Sequence, residues 1–289
     1  MNYKELANTG VWLPDIGFGT WRYKGGTEPL KIAIELGAVL IDTAEAYGTE
    51  EVVGDAIREC RDRVFVATKV SPRNFRRVDL LRAAEQSLQR LRTSHIDLYQ
   101  LHWPNYTVPI GETMAAAEEL VDAGKIRFIG VSNFSVRELE QAQAALSKYR
   151  IVSNQLRFSL IERTVERGML DYCRRNQITV LAFSPLGENF SNVKAADPEG
   201  MLTKVAAATG KTEAQVALNW LVAKDNVVAI AKASTVQHVI EDCEASGWRL
   251  PVSQCELLDA TVRFKRRGRL ESAARRYARH LLQLAGRQI

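Results

Sequence analysis

This sequence predicts an α/β fold of the closed (β/α)8 type, a TIM barrel, and three observations carry the prediction. Short runs of β-branched and aliphatic residues alternate eight times with amphipathic stretches, without a long interruption. Every run ends in polar, ionisable or aromatic residues, whereas the opposite ends show no such pattern. The Gly-rich G-x-G-x-x-G turn of an open dinucleotide-binding sheet is missing.

The elements can be justified in order. Asn8-Thr9-Gly10 stands between Leu6 and Val11-Trp12-Leu13, a turn that predicts an N-terminal β-hairpin. Ile16-Gly17-Phe18-Gly19 is the first barrel strand, with glycines that let another group approach its backbone. Further strands are expected at 38–41, 63–68, 96–101, 126–131, 151–154, 178–183 and 227–231. Thr27 caps the first helix, Pro29 sits in its first turn and Gly37 ends it. Ser135 with Glu138, Thr212 with Gln215 and Ser253 with Glu256 read as capping boxes. Asp197-Pro198-Glu199 reads as a helix start, and Gly124 and Gly210 read as helix ends.

A chain of 289 residues can bury one large core, so a single domain is expected, with the barrel over 1–262 and a basic extension over 263–289. The net charge of +5 is uneven: residues 263–289 hold nine Lys or Arg and one acid, a local +8, which leaves −3 for the rest. The first residues lack a basic and apolar leader pattern, and no apolar run approaches the roughly 18 residues of a membrane span. The four cysteines, Cys60, Cys173, Cys243 and Cys255, show no metal-binding or disulfide spacing. A cytoplasmic protein without a metal, monomeric or weakly homo-oligomeric, is expected, with no nucleic-acid partner and no membrane span.

The strand ends carry the chemistry. In a barrel they meet at one mouth, so Asp42, Tyr47, Lys69 and His102 can converge although they are distant in sequence. A phenol is a poor acid near neutrality; a neighbouring ammonium is expected to lower its pKa, and a carboxylate would hold that ammonium in place. A neutral histidine beside them can donate to a substrate oxygen. Such a set suits proton transfer to or from an oxygen on carbon, as in carbonyl–alcohol interconversion. Taken singly, Lys69 reads more readily as a solvated strand end and His102 as a satisfied rim histidine, but their joint placement on successive strands favours the site.

Over residues 5–262 the chain resembles the aldo-keto reductase superfamily, in particular compact prokaryotic members similar to diketogluconate reductases. The motifs are Gly17-Phe18-Gly19-Thr20-Trp21, Asp42-Thr43-Ala44-Glu45-Ala46-Tyr47-Gly48, Ala67-Thr68-Lys69, His95-Ile96-Asp97-Leu98-Tyr99 and His102-Trp103-Pro104. They continue through Gly124-Lys125-Ile126-Arg127, Gly130-Val131-Ser132-Asn133-Phe134, Asn154-Gln155, Ser184-Pro185-Leu186 and Leu218-Asn219-Trp220. The resemblance implies an NADPH/NADP+ enzyme, with NADH admissible, that reduces small aldehydes, ketoaldehydes, keto acids or keto-sugars. It implies Tyr47 as general acid, Lys69 paired with Asp42 as the group that tunes it, and His102 as substrate orienter. Trp21 and Trp103, with Tyr47 and His102, are implied as substrate contacts. Ser132, Asn133 and Gln155 are implied to hold the nicotinamide carboxamide. The cofactor site also takes in Gly19, Thr20, Trp21, Asp42, Ser184, Pro185, Leu186, Ala233 and Glu241.

The departures from the family pattern are specific. Phe183 stands where a stacking Tyr is usual, which keeps the ring face and loses the hydroxyl. Lys232 and Ser234 suit an adenosine 2′-phosphate, but His238 stands in place of a common Arg and Asp242 in place of a common Asn. A histidine contact is weaker than a bidentate Arg, so NADPH is expected to be preferred with reduced discrimination. The link Asn105–Gly111 is short, and 252–289 contains no Pro. Instead Leu270, Ala273, Ala274, Tyr277, Leu281 and Leu284 recur at helical spacing with Arg275, Arg276 and Arg279 between them. That predicts an extra basic C-terminal helix with three competing uses: packing on the barrel with a solvated Arg face, a lid for anionic substrates, or an interaction surface. For the whole chain the rivals are a non-catalytic nicotinamide-binding regulatory barrel and a Schiff-base aldolase using Lys69 or Lys232.

Overall fold

In the computed structural model, which describes residues 1–284, β1 (Tyr3–Glu5) pairs antiparallel with β2 (Trp12–Pro14) as the expected hairpin. Its Leu6 and Leu13 are buried in one cluster with Leu40, Phe65, Leu98 and Leu181, so the hairpin plugs the N-terminal end of the barrel. The Lys4 ammonium fixes it there by donating to the Val222, Lys224 and Val227 carbonyls at 2.6, 2.6 and 2.7 Å.

Eight parallel strands close behind it. They are β3 (Ile16–Gly19), β4 (Leu40–Asp42), β5 (Phe65–Val70), β6 (Ile96–Leu101), β7 (Ile126–Ser132), β8 (Ile151–Arg157), β9 (Thr179–Phe183) and β10 (Val227–Ala231). β10 pairs with both β9 and β3, which completes the ring. Around it lie α1 (Glu28–Glu35), α2 (Glu50–Ile57), α3 (Arg77–Leu91), α4 (Ile110–Asp122), α5 (Val136–Ala144) and α6 (Met169–Arg175). The chain continues through α7 (Phe190–Ala195), α8 (Met201–Thr209), α9 (Glu213–Val222), α10 (Val236–Cys243), α11 (Val252–Thr261) and α12 (Arg269–Leu284). A second, larger cluster joins outward strand residues such as Ile41, Val66 and Leu101 to helix residues such as Leu80, Leu88 and Trp220.

Strand alternation decides what reaches the mouth. Side chains two apart share a face, so Asp42 stands one layer above Leu40, Lys69 above Ala67, and Gln100 above Leu98. Three strands extend beyond the spacing-based expectation. Asp42 closes β4, while Lys69 lies within β5 and Gln155 within β8, and each of the three finds a buried partner inside the barrel.

Three helix starts differ from expectation. Thr27 precedes α1 in helical backbone conformation, and its side chain makes no cap hydrogen bond. Ser135 and Thr212 form capping boxes as read, but Ser253 lies inside α11 behind Pro251. The Leu250 N–H is tied to Asn219 Oδ1, and Pro251 is extended, so the helix begins at once after it. Asp197 lies before α8: Gly200 turns left-handed (φ 62°), and the Asp197 carboxylate reaches past it to accept from the Met201 and Leu202 N–H groups.

The chain enters α12 through a strap. The Arg163 N–H donates to the Lys265 carbonyl, and the Lys265 N–H to the Ile161 carbonyl, each at 2.9 Å. The buried Arg163 guanidinium lies over the rings of Trp220 and Phe264 at 4.5 and 4.3 Å and pairs with Asp259 at 2.5 Å. At the far end, Gln283 donates to the Pro104 carbonyl and His280 meets the Tyr106 ring edge-on. These polar anchors turn Leu270, Ala273, Ala274, Tyr277 and Leu281 to solvent, opposite to a helix packed by its apolar stripe. The side chains of Arg276, Arg279 and Leu284, which the spacing also assigns to this helix, lie outside the described residues.

Gly17 tests the closeness of the barrel. A Cβ there would lie 2.7 Å from Leu40 Cγ and 2.8 Å from the Leu40 carbonyl oxygen. Gly17→Ala is expected to lower stability by about 1–3 kcal/mol in urea titration, and an unchanged midpoint would mean that β3 and β4 can part without cost.

Candidate active site

The site begins with a buried ion pair. Lys69 Nζ lies 2.6 Å from Asp42 Oδ2, with Lys69 fully buried and Asp42 nearly so at the cavity floor. The same ammonium donates to the Thr43 carbonyl at 2.8 Å. The other Asp42 oxygen, Oδ1, accepts from Gln155 Nε2 at 2.7 Å and Gln100 Nε2 at 3.1 Å. Burial works against the charge on Lys69, but Asp42 and Tyr47 together outweigh it and raise its pKa. A lysine held charged in this way is a poor amine nucleophile, which counts against Lys69 as a Schiff-base residue.

Tyr47 stands on a short 3-10 turn, Glu45–Tyr47, directly after β4. The Glu45 carboxylate accepts from the Ser71 N–H at 2.6 Å and from Asn74 Nδ2 at 3.0 Å, which pins the turn to the end of β5. Below the turn, the Thr20, Thr43 and Thr49 hydroxyls form a buried chain. The Tyr47 hydroxyl lies 3.3 Å from His102 Nε2, and Lys69 Nζ is 4.9 Å from the Tyr47 ring centre. The expected fall in the tyrosine's pKa is not what the site produces. Burial raises it, and the Lys69 charge offsets that only in part because Asp42 opposes the ammonium. The phenol therefore keeps its proton, as an acid must. Burial, helped by Lys69, pushes His102 down to about 3, so the imidazole is neutral.

A cavity of about 2410 Å³ opens above these groups. Gly19, Trp21, Asp42, Tyr47, His102, Trp103, Ser132, Asn133, Gln155, Phe183, Ser184, Pro185, Leu186, Lys232, His238, Glu241 and Asp242 line it. The other expected site residues stand back from it. Lys69 lies fully buried beneath it, Thr20 is buried and bonded to Thr49, Ala233 belongs to the core, and Ser234 is not part of the wall. Asn133 takes a left-handed conformation (φ 65°), which Asn tolerates, and donates through Nδ2 to the His102 carbonyl and Ser132 Oγ. Among the described residues its Oδ1 has no partner. Gln155 spends its amide on Asp42, with its Nε2 also 3.4 Å from Gln100 Oε1, so its first role is in the ion-pair layer. The fit to a nicotinamide dinucleotide rests on Asn133 Oδ1, the Phe183 ring face and a lining that includes both Trp21 and Asp242.

At the far end, Asp242 is buried with no cationic partner among the described residues, and burial with the neighbouring Glu241 pushes it up to about 7. Three side chains escaped sequence reasoning. Gln100 was signalled only by a polar residue at an inward strand position. Arg157, 5.6 Å from the Phe183 ring and paired with Glu188, appears only because β8 runs longer than expected. Glu45 read as part of a motif, with no sign of its bonds to Ser71 and Asn74.

Residues 15–263 match the aldo/keto reductase family model. The chain is 35% identical over 270 residues to the methylglyoxal reductase YeaE of Escherichia coli, covering 90% of this chain and 95% of that one. Among solved structures, the thermostable aldo-keto reductase Tm1743 bound to epalrestat superposes with a TM-score of 0.84 at 42% identity, over 90% of this chain and all of that one (100%). An aldo/keto reductase of Klebsiella pneumoniae with NADP and acetate superposes with a TM-score of 0.83 at 34% identity, over 92% and 96% of the two chains.

The ion pair predicts its own test. Asp42→Ala leaves a buried ammonium with no counter-charge and is expected to cost about 3–5 kcal/mol of stability at neutral pH. Urea denaturation checks this, and a loss within error of an ordinary surface substitution would show that Lys69 finds solvent.

Proposed function

The chain belongs to the aldo/keto reductase family and is an oxidoreductase, and on that premise we propose that it reduces small aldehydes, ketoaldehydes, keto acids or keto-sugars with NADPH, Tyr47 being the general acid. The observation that carries this reading is the Tyr47 hydroxyl, protonated, 3.3 Å from a neutral His102 and seated over the Lys69 ammonium. When bound, the reduced cofactor supplies hydride. Tyr47 delivers the proton to the carbonyl oxygen, Lys69 stabilises the phenolate that remains, and His102 orients the oxygen. Asp42, with Gln100 and Gln155 behind it, holds the ammonium in place. Trp21 and Trp103 wall the substrate space, and Ser132 and Asn133 receive the carboxamide beside the Phe183 ring. A ketoaldehyde is the favoured substrate type, by likeness to the methylglyoxal reductase.

The preference for NADPH rests on the end of β10. Lys232 lies on the cavity wall, and Thr235 caps α10, so the helix N-terminus and the side chain of His238 face the same region.

Three outcomes test these assignments. Tyr47→Phe is expected to lower kcat for NADPH-dependent reduction by about 10²–10⁴-fold with the NADPH Kd nearly unchanged; lost cofactor binding would put Tyr47 in another role. Because burial raises the Tyr47 pKa, its acid form persists upward in pH, so reductive kcat should stay flat through about pH 6–9 and fall only near or above the ordinary phenol pKa of about 10. A pH–rate profile with a midpoint near neutrality would contradict that sign. Efficiency should be higher with NADPH than with NADH, and His238→Arg should widen the ratio about tenfold; equal efficiencies in the parent enzyme would count against the 2′-phosphate assignment.

A further inference from the structure

α12 presents its two faces the wrong way round for a helix that belongs only to its own barrel. Arg275, Ala278 and Leu282 line the cavity, and His280 and Gln283 hold the loop after β6. Its apolar stripe looks outward, with Leu270 88%, Tyr277 64% and Leu281 48% exposed and Ala273 and Ala274 exposed between them. On the strap that leads into the helix Arg263, Lys265 and Arg266 are exposed, with Arg266 paired to Glu166 at 2.5 Å and Lys265 3.7 Å from Glu271. Something that accepts both leucines and positive charge is missing from this surface.

Charge and area narrow the choice. Pairing two copies through α12 would bring together two segments that each hold nine basic residues and one acid. A stripe on a helix about 24 Å long also falls well short of the roughly 800 Å² per partner of a standard interface. A nucleic-acid backbone would take the charges and leave the leucines in water. Among the described residues no helix is long and apolar enough to cross a membrane, so a spanning role is not what the stripe serves.

We infer that α12 docks on an anionic lipid bilayer, lying in the headgroup plane with Leu270, Tyr277 and Leu281 turned into it and the basic strap against the lipid charges. The rest of the chain, at −3, favours an orientation with the tail toward the lipid. Docking sets the cavity rim beside the membrane surface, since the inner face of the same helix lines it.

Cosedimentation of the full chain with vesicles of phosphatidylcholine alone, or mixed with phosphatidylglycerol, tests this. The full chain should bind the mixed vesicles at low salt, leave them at high salt, and ignore phosphatidylcholine alone. A Leu270→Ser, Leu281→Ser double variant should partition at least about tenfold more weakly. It should keep its Tm and its NADPH oxidation, because neither residue lines the cavity. No binding to the mixed vesicles overturns the inference, as does equal binding by the double variant, which would leave only diffuse charge attraction. A dimer in sedimentation velocity that the double variant abolishes also overturns it, because a second copy would then cover the stripe.

Discussion

Lys69 is fully buried and Asp42 nearly so, so each charge is tenable because the other lies 2.6 Å away and the remaining lone pairs are met. Meeting them takes Gln100 from β6, Gln155 from β8 and the Thr43 carbonyl that follows β4. Four strands therefore share one hydrogen-bonded layer, and a slip of one residue in any of them would turn a polar group out of the barrel. The Tyr47 turn rests on that layer. Its phenol meets a fixed ammonium from below, and burial sets its proton affinity more strongly than the ammonium does.

The mouth is wide because the barrel beneath it is filled. The hairpin leucines, Leu40, Leu98 and Leu181 occupy the lower interior, so the polar layer stands near the C-terminal ends of the strands, where the loops can reach it. Those loops are held individually. Glu45 ties one turn to the end of β5, Asn133 bends back to the His102 carbonyl, and Arg157 lies against Phe183 while paired with Glu188. Each tie joins two neighbouring strand ends, which is how residues far apart in sequence come to hold fixed distances.

The C-terminal helix follows a different logic. Its position comes from polar anchors at both ends, the Arg163 strap and the Gln283–Pro104 bond, and its own apolar stripe plays no part. A helix placed in that way is free to present leucines outward while it closes one side of the cavity. One face of the helix lines the cavity and another presents leucines to solvent, so a helix packed through its leucines does not describe it.

The barrel was legible in the sequence because short apolar runs and helix punctuation are local signals, and eight of them in series leave little choice of architecture. Asp42, Tyr47, Lys69 and His102 were legible as candidates for the same reason, since strand ends can be read from the runs that precede them. Local signals failed where a tertiary partner decided the outcome. Asn219 moved the start of α11 away from Ser253, and the strands that carry Lys69 and Gln155 ran on to meet inward partners. The sequence named an ammonium beside a phenol, but the direction of the phenol's shift depended on how much water the closed barrel removed. It also determined that the tail would form an amphipathic basic helix. Which face that helix turned to solvent was fixed by contacts with Pro104, Tyr106 and Ile161, because helical periodicity orders side chains around an axis without saying what stands on either side.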